Sequence, residues 1–229
     1  MRAVCLLSGG LDSCVAAAVA RSQGYELHAL SLDYGQRHAR ELRAARDVAR
    51  ALEVREHKTV QVDLAALGGS ALTDRALAVP VGRSESAMSE GIPVTYVPAR
   101  NTVFLALALG WAEALDADAV FYGAHALDYS GYPDCRPAFV AAFQALADVA
   151  TKRGVEGKPI RVEAPLLHST KADIVALGAK LGAPLAKTWS CYLGGARQCG
   201  RCDSCQLRRK GFREAGLDDP VPYEVAHGP

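Results

Sequence analysis

The first 62 residues alternate between strand-like and helix-like patterns, and this alternation constrains the fold more than any other feature. Residues 3–7 form a continuous apolar run that predicts a buried parallel strand, and residues 12–21 form an Ala- and Val-rich helix. Residues 27–32 and 55–62 predict two further strands, separated by a segment whose apolar residues recur at helical spacing. Strands that alternate with helices in this way predict an α/β fold with a doubly wound, mostly parallel sheet.

The rest of the chain continues this pattern after one interruption. Residues 64–98 contain several Gly and Pro residues, which predict a long loop or irregular insertion. Beyond it, the pattern predicts helices at 102–115, 138–151 and 170–181 and strands at 119–122 and 160–164. A chain of 229 residues therefore suits one large domain with at most a small appendage.

Charge and hydropathy exclude several classes of protein. The formal net charge is +1, which argues against a broad electrostatic surface for nucleic acid or membrane. The sequence has no run of about 20 apolar residues, and its first apolar stretch is too short for a secretory signal. We therefore expect a cytoplasmic protein.

A glycine-rich turn, Ser8-Gly9-Gly10-Leu11-Asp12-Ser13, joins the first predicted strand to the first predicted helix. Glycines in such a turn let backbone amides approach a phosphate closely, and the helix N-terminus favours the negative charge. The serine hydroxyls could donate to the same phosphate, and Asp12 could hold a magnesium ion that bridges phosphate oxygens. The alternative is that the two glycines form only a tight turn.

Four of the seven cysteines lie close together near the C-terminus: Cys191, Cys199, Cys202 and Cys205. An odd number of unevenly spread cysteines does not fit a disulfide framework, whereas four thiolates are the usual ligands of a structural zinc ion. Such a site leaves no open coordination position, so its role should be structural. An iron–sulfur cluster is the competing interpretation.

The order S-G-G-x-D-S after the first strand resembles the PP-loop of the ATP pyrophosphatase superfamily, whose members cleave ATP between the α- and β-phosphates and transfer AMP to an oxygen. Further segments narrow the resemblance: D-Y-G-Q-R-H at 33–38, V-P-A-R-N at 97–101, Y-S-G-Y-P-D-C-R at 129–136 and K-T-W-S-C-Y at 187–192. Together they resemble the 7-cyano-7-deazaguanine synthase family of the queuosine and deazapurine pathway, over nearly the whole chain.

The resemblance implies an adenine nucleotide α-hydrolase-like fold. It places an ATP-binding domain at residues 1–185 and a helical zinc-binding region, packed on that domain, at 186–229. The implied reaction converts 7-carboxy-7-deazaguanine and ammonia to 7-cyano-7-deazaguanine by adenylation of the carboxylate and then of the amide. ATP with magnesium, one structural zinc ion per chain and a homodimer are implied as well, with no direct binding of nucleic acid.

The same resemblance gives a set of candidate site residues. Asp12, Ser13, Arg100 and Lys171 are the candidate catalytic residues, and surface ion pairs are the alternative for Arg100 and Lys171. The ring and the carboxylate of the substrate could be bound by Asp128, Tyr129, Asp134 and Arg136, with turn capping or a neighbouring Asp as the alternatives. The nucleotide would be bound by Leu7, Ser8, Gly9, Gly10, Leu11, Asp12, Ser13 and Cys14.

Two other functions are compatible with parts of the sequence. One is a PP-loop enzyme that modifies tRNA directly, by thiolation or lysidine formation. The other is a zinc-ribbon module that binds nucleic acid without being an enzyme. Either would use a basic stretch whose more ordinary interpretation is a solvated helix face or a subunit interface: Arg197, Arg201, Arg208, Arg209, Lys210 and Arg213.

Overall fold

A five-stranded parallel sheet forms the centre of the computed structural model, which describes residues 1–125 and 131–224. The strand order is β3-β2-β1-β4-β5. The strands are β1 (Arg2–Leu6), β2 (Glu26–Asp33), β3 (Glu56–Gln61), β4 (Ala119–Phe121) and β5 (Arg161–Glu163). All five strands predicted from the sequence are present, with ends that differ by at most one residue.

The central strand β1 is apolar throughout its buried part because helices cover both faces of the sheet. Cys5 pairs with Ala29 of β2 on one side and with Phe121 of β4 on the other. The edge strand β3 has only polar residues apart from Val60, since most of its side chains remain exposed or half-buried. Its sequence therefore lacks the continuous apolar run that marks β1.

Eight α-helices flank or extend the sheet within the described residues: α1 (Leu11–Ser22), α2 (Arg40–Ala51), α3 (Glu85–Ser89), α4 (Arg100–Ala114), α5 (Pro137–Ala150), α6 (Lys152–Val155), α7 (Lys171–Lys180) and α8 (Asp203–Glu214). α1 and α2 pack on one face, where Cys14 and Val48 meet Cys5. α4 and α5 pack on the other, where Leu105 and Phe143 share a cluster with Val4. Helices on both faces confirm the doubly wound α/β fold.

A second layer of helices extends the α1 side of the molecule. Val15 of α1, Ile174 of α7 and Phe212 of α8 are buried in one hydrophobic cluster. Thr170 and Asp173 form a capping box that fixes where α7 begins. The region that carries the four cysteines therefore packs directly on the sheet domain through α7.

The stretch 64–98 is largely irregular, as its Gly and Pro content predicts. It contains a short 3-10 helix, Ala65–Leu67, and the five-residue α3, and otherwise consists of turns and loops. Arg37 fixes its position by donating to the backbone carbonyls of Ala71 and Asp74. Among the described residues, none of the helices combines the length and hydropathy that a bilayer span requires.

Candidate nucleotide and metal sites

A cavity of about 260 Å³ opens at the carboxyl ends of β1, β2 and β4. β1 is the strand at which the order of the sheet reverses, because β2 lies on one side of it and β4 on the other. Ligands of open α/β sheets bind at such a switch point. Eight of the predicted residues line this one cavity: Leu7, Ser8, Gly10, Leu11, Asp12, Ser13, Arg100 and Lys171.

The turn between β1 and α1 is held by its own serines. The Ser13 hydroxyl donates to the Gly10 carbonyl at 3.1 Å and accepts the Ser8 N–H at 3.2 Å. Gly9 has a φ of +85°, and a Cβ there would lie against the Glu41 carbonyl of α2. The glycine is therefore required both by its left-handed backbone and by the close approach of α2. The result is a rigid loop at the N-terminus of α1, where anions bind favourably.

Three ionisable side chains meet beside this loop. The Lys171 ammonium lies 2.7 Å from Asp12 Oδ1 and 2.9 Å from His125 Nε2, and His125 Nε2 is 3.4 Å from Asp12 Oδ2. Burial tends to raise the pKa of Asp12, but Lys171 and His125 outweigh this and hold that pKa well below its ordinary value. Asp12 is therefore a carboxylate at neutral pH, available to a cation that accompanies phosphate.

Arg100 approaches the cavity from the opposite side. It begins α4 directly after Ala99, whose φ of +53° turns the chain into the helix. The guanidinium lies 5.9 Å from the centre of the Tyr34 ring and 6.0 Å from that of Phe104. No carboxylate of the described residues lies within 4.0 Å of it, so Arg100 is available to an anionic ligand. Among the described residues, Arg100 therefore forms no surface ion pair, which was the alternative interpretation of this residue.

The predicted substrate-binding residues are divided by the structure. Asp134 is buried, and its carboxylate accepts the Asn101 N–H at 3.0 Å, which places it at the N-terminus of α4. Arg136 is exposed at the N-terminus of α5 and does not line the cavity, although the preceding residue, Cys135, does. Asp128 and Tyr129 lie outside the described residues.

The two remaining nucleotide-loop candidates do not line the cavity. Gly9 faces α2, as described above, and Cys14 is fully buried in the core between α1 and the sheet. Burial raises the pKa of the Cys14 thiol to about 12, so this residue is a small apolar side chain.

The four C-terminal cysteines converge as their spacing predicts. Cys191, Cys199, Cys202 and Cys205 are all buried, and their Sγ atoms lie within 4.8 Å of one another. Ligation at about 2.3 Å in a tetrahedron separates sulfur atoms by about 3.8 Å, which this arrangement accommodates. Backbone N–H groups also point at the sulfurs, for example that of Cys202 at 3.3 Å from Cys199 Sγ. The cluster could therefore hold one metal ion with four thiolates.

A short segment connects the cysteine cluster to the nucleotide loop. The backbone N–H of Trp189 donates to the Gly9 carbonyl at 2.8 Å, and the residue also lines the cavity. Arg208 of α8 holds the residues on either side, donating to Thr188 Oγ1 at 2.6 Å and to Ser190 Oγ at 3.3 Å. We call residues 188–190 the strap. The structure of the cysteine region therefore bears directly on the shape of the cavity.

Arg208 corrects the interpretation of the basic stretch as a uniformly solvated helix face. Its side chain is 1% exposed, and Asp219 accepts two hydrogen bonds from it at 2.8 and 2.9 Å. Arg209 and Arg213 of the same helix are exposed, so only part of the stretch faces solvent. The burial of Arg208 could have been predicted from the sequence only by pairing it with Asp219.

Two further cavity residues were not predicted as site residues. His125 follows β4 in a segment that looks like polar loop, and only the pairing of β4 with β1 brings it to Asp12. Glu41 lies in the first turn of α2 and lines the cavity with a half-buried carboxyl group. Burial raises the pKa of Glu41 to about 7; nearby Arg100 opposes this shift, and Cys191 adds to it.

Known proteins resemble the chain along nearly its whole length. A family model described as "Queuosine biosynthesis protein QueC" matches residues 2–216. A 7-cyano-7-deazaguanine synthase of Anaeromyxobacter dehalogenans is 63% identical over 97% of this chain and 95% of its own. One of Saccharophagus degradans is 58% identical over 97% of each chain. The solved NMN synthetase of Francisella tularensis covers 95% of this chain and 78% of its own, with a TM-score of 0.49 and 15% identity.

Proposed function

The chain belongs to the queuosine biosynthesis protein QueC family, and from this membership we propose that it makes 7-cyano-7-deazaguanine from 7-carboxy-7-deazaguanine, ammonia and ATP. The observation that carries the proposal is the convergence of Asp12, Lys171 and Arg100 around the N-terminus of α1. A carboxylate must be activated before ammonia can displace its oxygen. Cationic groups and backbone amides on either side of the cavity supply the charge neutralisation that this activation requires.

In the proposed reaction the substrate carboxylate attacks the α-phosphorus of ATP and pyrophosphate leaves. The loop at 8–13 and Lys171 bind the phosphates, and Arg100 orients the carboxylate. A magnesium ion held by Asp12 would neutralise phosphate oxygens. Ammonia then displaces AMP to give the amide, and a second adenylation, on the amide oxygen, allows AMP to leave and the nitrile to form.

The remaining site residues also have proposed roles. Asp128 and Tyr129 remain candidates for contact with the deazaguanine ring. Asp134 supports the first turn of α4, and thereby Arg100, since its carboxylate accepts the Asn101 N–H. Arg136 directly follows Cys135, which lines the cavity, and remains a candidate for pairing with the substrate carboxylate.

We also propose that the cysteine cluster holds one zinc ion. Residues 186–229 then form a metal-binding region that packs on an ATP-binding domain of residues 1–185. We further propose that the protein is a cytoplasmic homodimer. Zinc supplies structural cross-linking when bound by four thiolates, and no open position for catalysis. The substrates are small molecules, because the family match favours the synthase over the tRNA-modifying and nucleic-acid-binding alternatives.

The proposal is tested by the dependence of ATP cleavage on the substrate. AMP and pyrophosphate should be released only when 7-carboxy-7-deazaguanine is present, and Asp12→Ala should abolish the release. Asp47→Asn removes an exposed carboxylate from α2 and is the matched control. Release of AMP without the deazapurine, or wild-type turnover in Asp12→Ala, would refute the proposal.

A further inference from the structure

We propose that Glu41 binds the ammonium ion in the cavity and accepts a proton from it, so that the ammonia formed attacks the adenylated carboxylate. This rests on the proposed function, because it assigns the nitrogen donor of that reaction to a residue. Ammonium is a cation, so the Arg100 guanidinium and the Lys171 ammonium are not suited to bind it, and the Asp12 carboxylate is already paired with Lys171.

Glu41 and Asp12 are the two acidic side chains among the described residues that line the cavity, and Asp12 is paired with Lys171. The Glu41 carboxyl group is half-buried and has neither a hydrogen bond nor an ion pair with a described residue. Partial burial removes some of the water around the carboxylate, and a small cation with several N–H donors would supply the hydrogen bonds that the protein does not. The geometry therefore favours a cationic ligand at this point.

The position of Glu41 relative to the nucleotide loop is fixed by packing. The backbone carbonyl of Glu41 lies where a Cβ on Gly9 would be, and the N–H of Ala45 would lie 2.6 Å from that Cβ. α2 thus rests on the loop that would hold the phosphates. An ion bound at Glu41 would share the cavity with the loop that would hold the phosphates.

The charged and titratable groups around Glu41 come from three neighbouring segments. Arg100 approaches from α4, Tyr34 from the loop after β2, and Cys191 from the cysteine cluster. Arg100 is more than 4.0 Å away and does not neutralise Glu41 by an ion pair. Burial keeps the proton affinity of the carboxylate higher than in water, which suits a group that accepts a proton near neutral pH.

The step balances in atoms and charge. The Glu41 carboxylate takes one proton from ammonium, and the freed nitrogen lone pair forms a C–N bond to the acyl carbon. The bond from that carbon to the phosphate oxygen breaks, and AMP leaves with the electron pair. The second proton released as the amide forms passes to the leaving phosphate, and Glu41 returns its own proton to solvent.

The test separates the step that needs ammonia from the one that does not. Exchange of labelled pyrophosphate into ATP, driven by 7-carboxy-7-deazaguanine without ammonium, reports adenylation alone. We expect Glu41→Gln to keep this exchange within about twofold of wild type while the KM for ammonium rises by about 10- to 100-fold, as expected for a lost charge-assisted contact. Hydroxylamine is mostly unprotonated at neutral pH and does not need a proton acceptor. Replacing ammonium by hydroxylamine should therefore raise the rate of the variant by a larger factor than the rate of wild type. Asp47→Asn, on the same helix, should resemble wild type in every assay.

Several results would overturn the inference. An unchanged KM for ammonium in Glu41→Gln would do so. A raised KM for ATP or for the deazapurine would also do so, because Glu41 would then contact the ribose or the ring. Glu41→Asp keeps the charge on a shorter side chain and should raise the ammonium KM less than Glu41→Gln; equal loss of exchange and of thermal stability in both variants would show a structural role only. Absence of exchange in the wild type would refute the proposed function, and this assignment with it.

Discussion

Replacing Gly9 by alanine tests whether the nucleotide loop depends on the close packing of α2. Gly9 has a φ of +85°, and a Cβ there would meet the Glu41 carbonyl and lie 2.6 Å from Ala45 N. The left-handed backbone alone costs a non-glycine residue roughly 1–2 kcal/mol. The overlap with backbone atoms adds about 1–3 kcal/mol, because α2 cannot move away without leaving the sheet.

Gly24 provides a control that removes the second effect. Its φ is +83°, almost the same as that of Gly9, and nothing lies within 4 Å of a Cβ built there. Gly9→Ala should therefore unfold at a lower temperature than Gly24→Ala by on the order of 5 °C, at roughly 2–4 °C per kcal/mol for a chain of this size. Thermal unfolding measures this difference, and an ATP titration should show weakened binding only for Gly9→Ala. Equal unfolding temperatures with equal ATP binding would refute the argument.

Three other substitutions test separate parts of the site. Lys171→Met removes the ammonium beside Asp12, so substrate-dependent AMP release should fall at least about 100-fold. The control is Lys180→Met, which changes an exposed residue at the other end of α7 and should leave AMP release unchanged. Wild-type AMP release in Lys171→Met would contradict the phosphate role. Cys202→Ser should lower the metal content, measured by elemental analysis, toward zero, since structural zinc contributes on the order of 10 kcal/mol to small folds; full activity without metal would contradict a structural role. Arg208→Lys loses the paired hydrogen bonds to Asp219 and the hold on the strap, so the KM for ATP should rise several-fold with metal retained, whereas Arg213→Lys should leave it unchanged.

The fold was predictable from the sequence because its strands are buried between helices. The apolar runs of β1, β2 and β4 and the glycine turn after β1 are local signals that depend on no distant residue. The stretch 64–98 was not predictable in detail, since distant groups fix it. Arg37 donates to Ala71 and Asp74 carbonyls, and Val81 forms a β-bridge with Cys202 across the cysteine region.

From the residues alone, the candidate site was predictable where its members are consecutive or closely spaced, whereas the isolated Arg100 and Lys171 were predicted through the family resemblance. The nucleotide loop and the cysteine cluster are of the closely spaced kind. His125 joins the site through the pairing of β4 with β1, which the sequence does not specify. Asp134 accepts the Asn101 N–H across 33 residues of sequence. The polar residues around Asp134 predict only a loop and give no sign of this contact.

The measurement that tests the account most directly is the product of a complete reaction mixture. Purified protein incubated with ATP, ammonium and 7-carboxy-7-deazaguanine should give 7-cyano-7-deazaguanine, identified by mass, with one AMP formed at each adenylation. The nitrile nitrogen should carry the label when the ammonium is isotopically labelled. A mixture that consumes ATP but yields no labelled nitrile, or accumulates only the amide, would contradict the central claim.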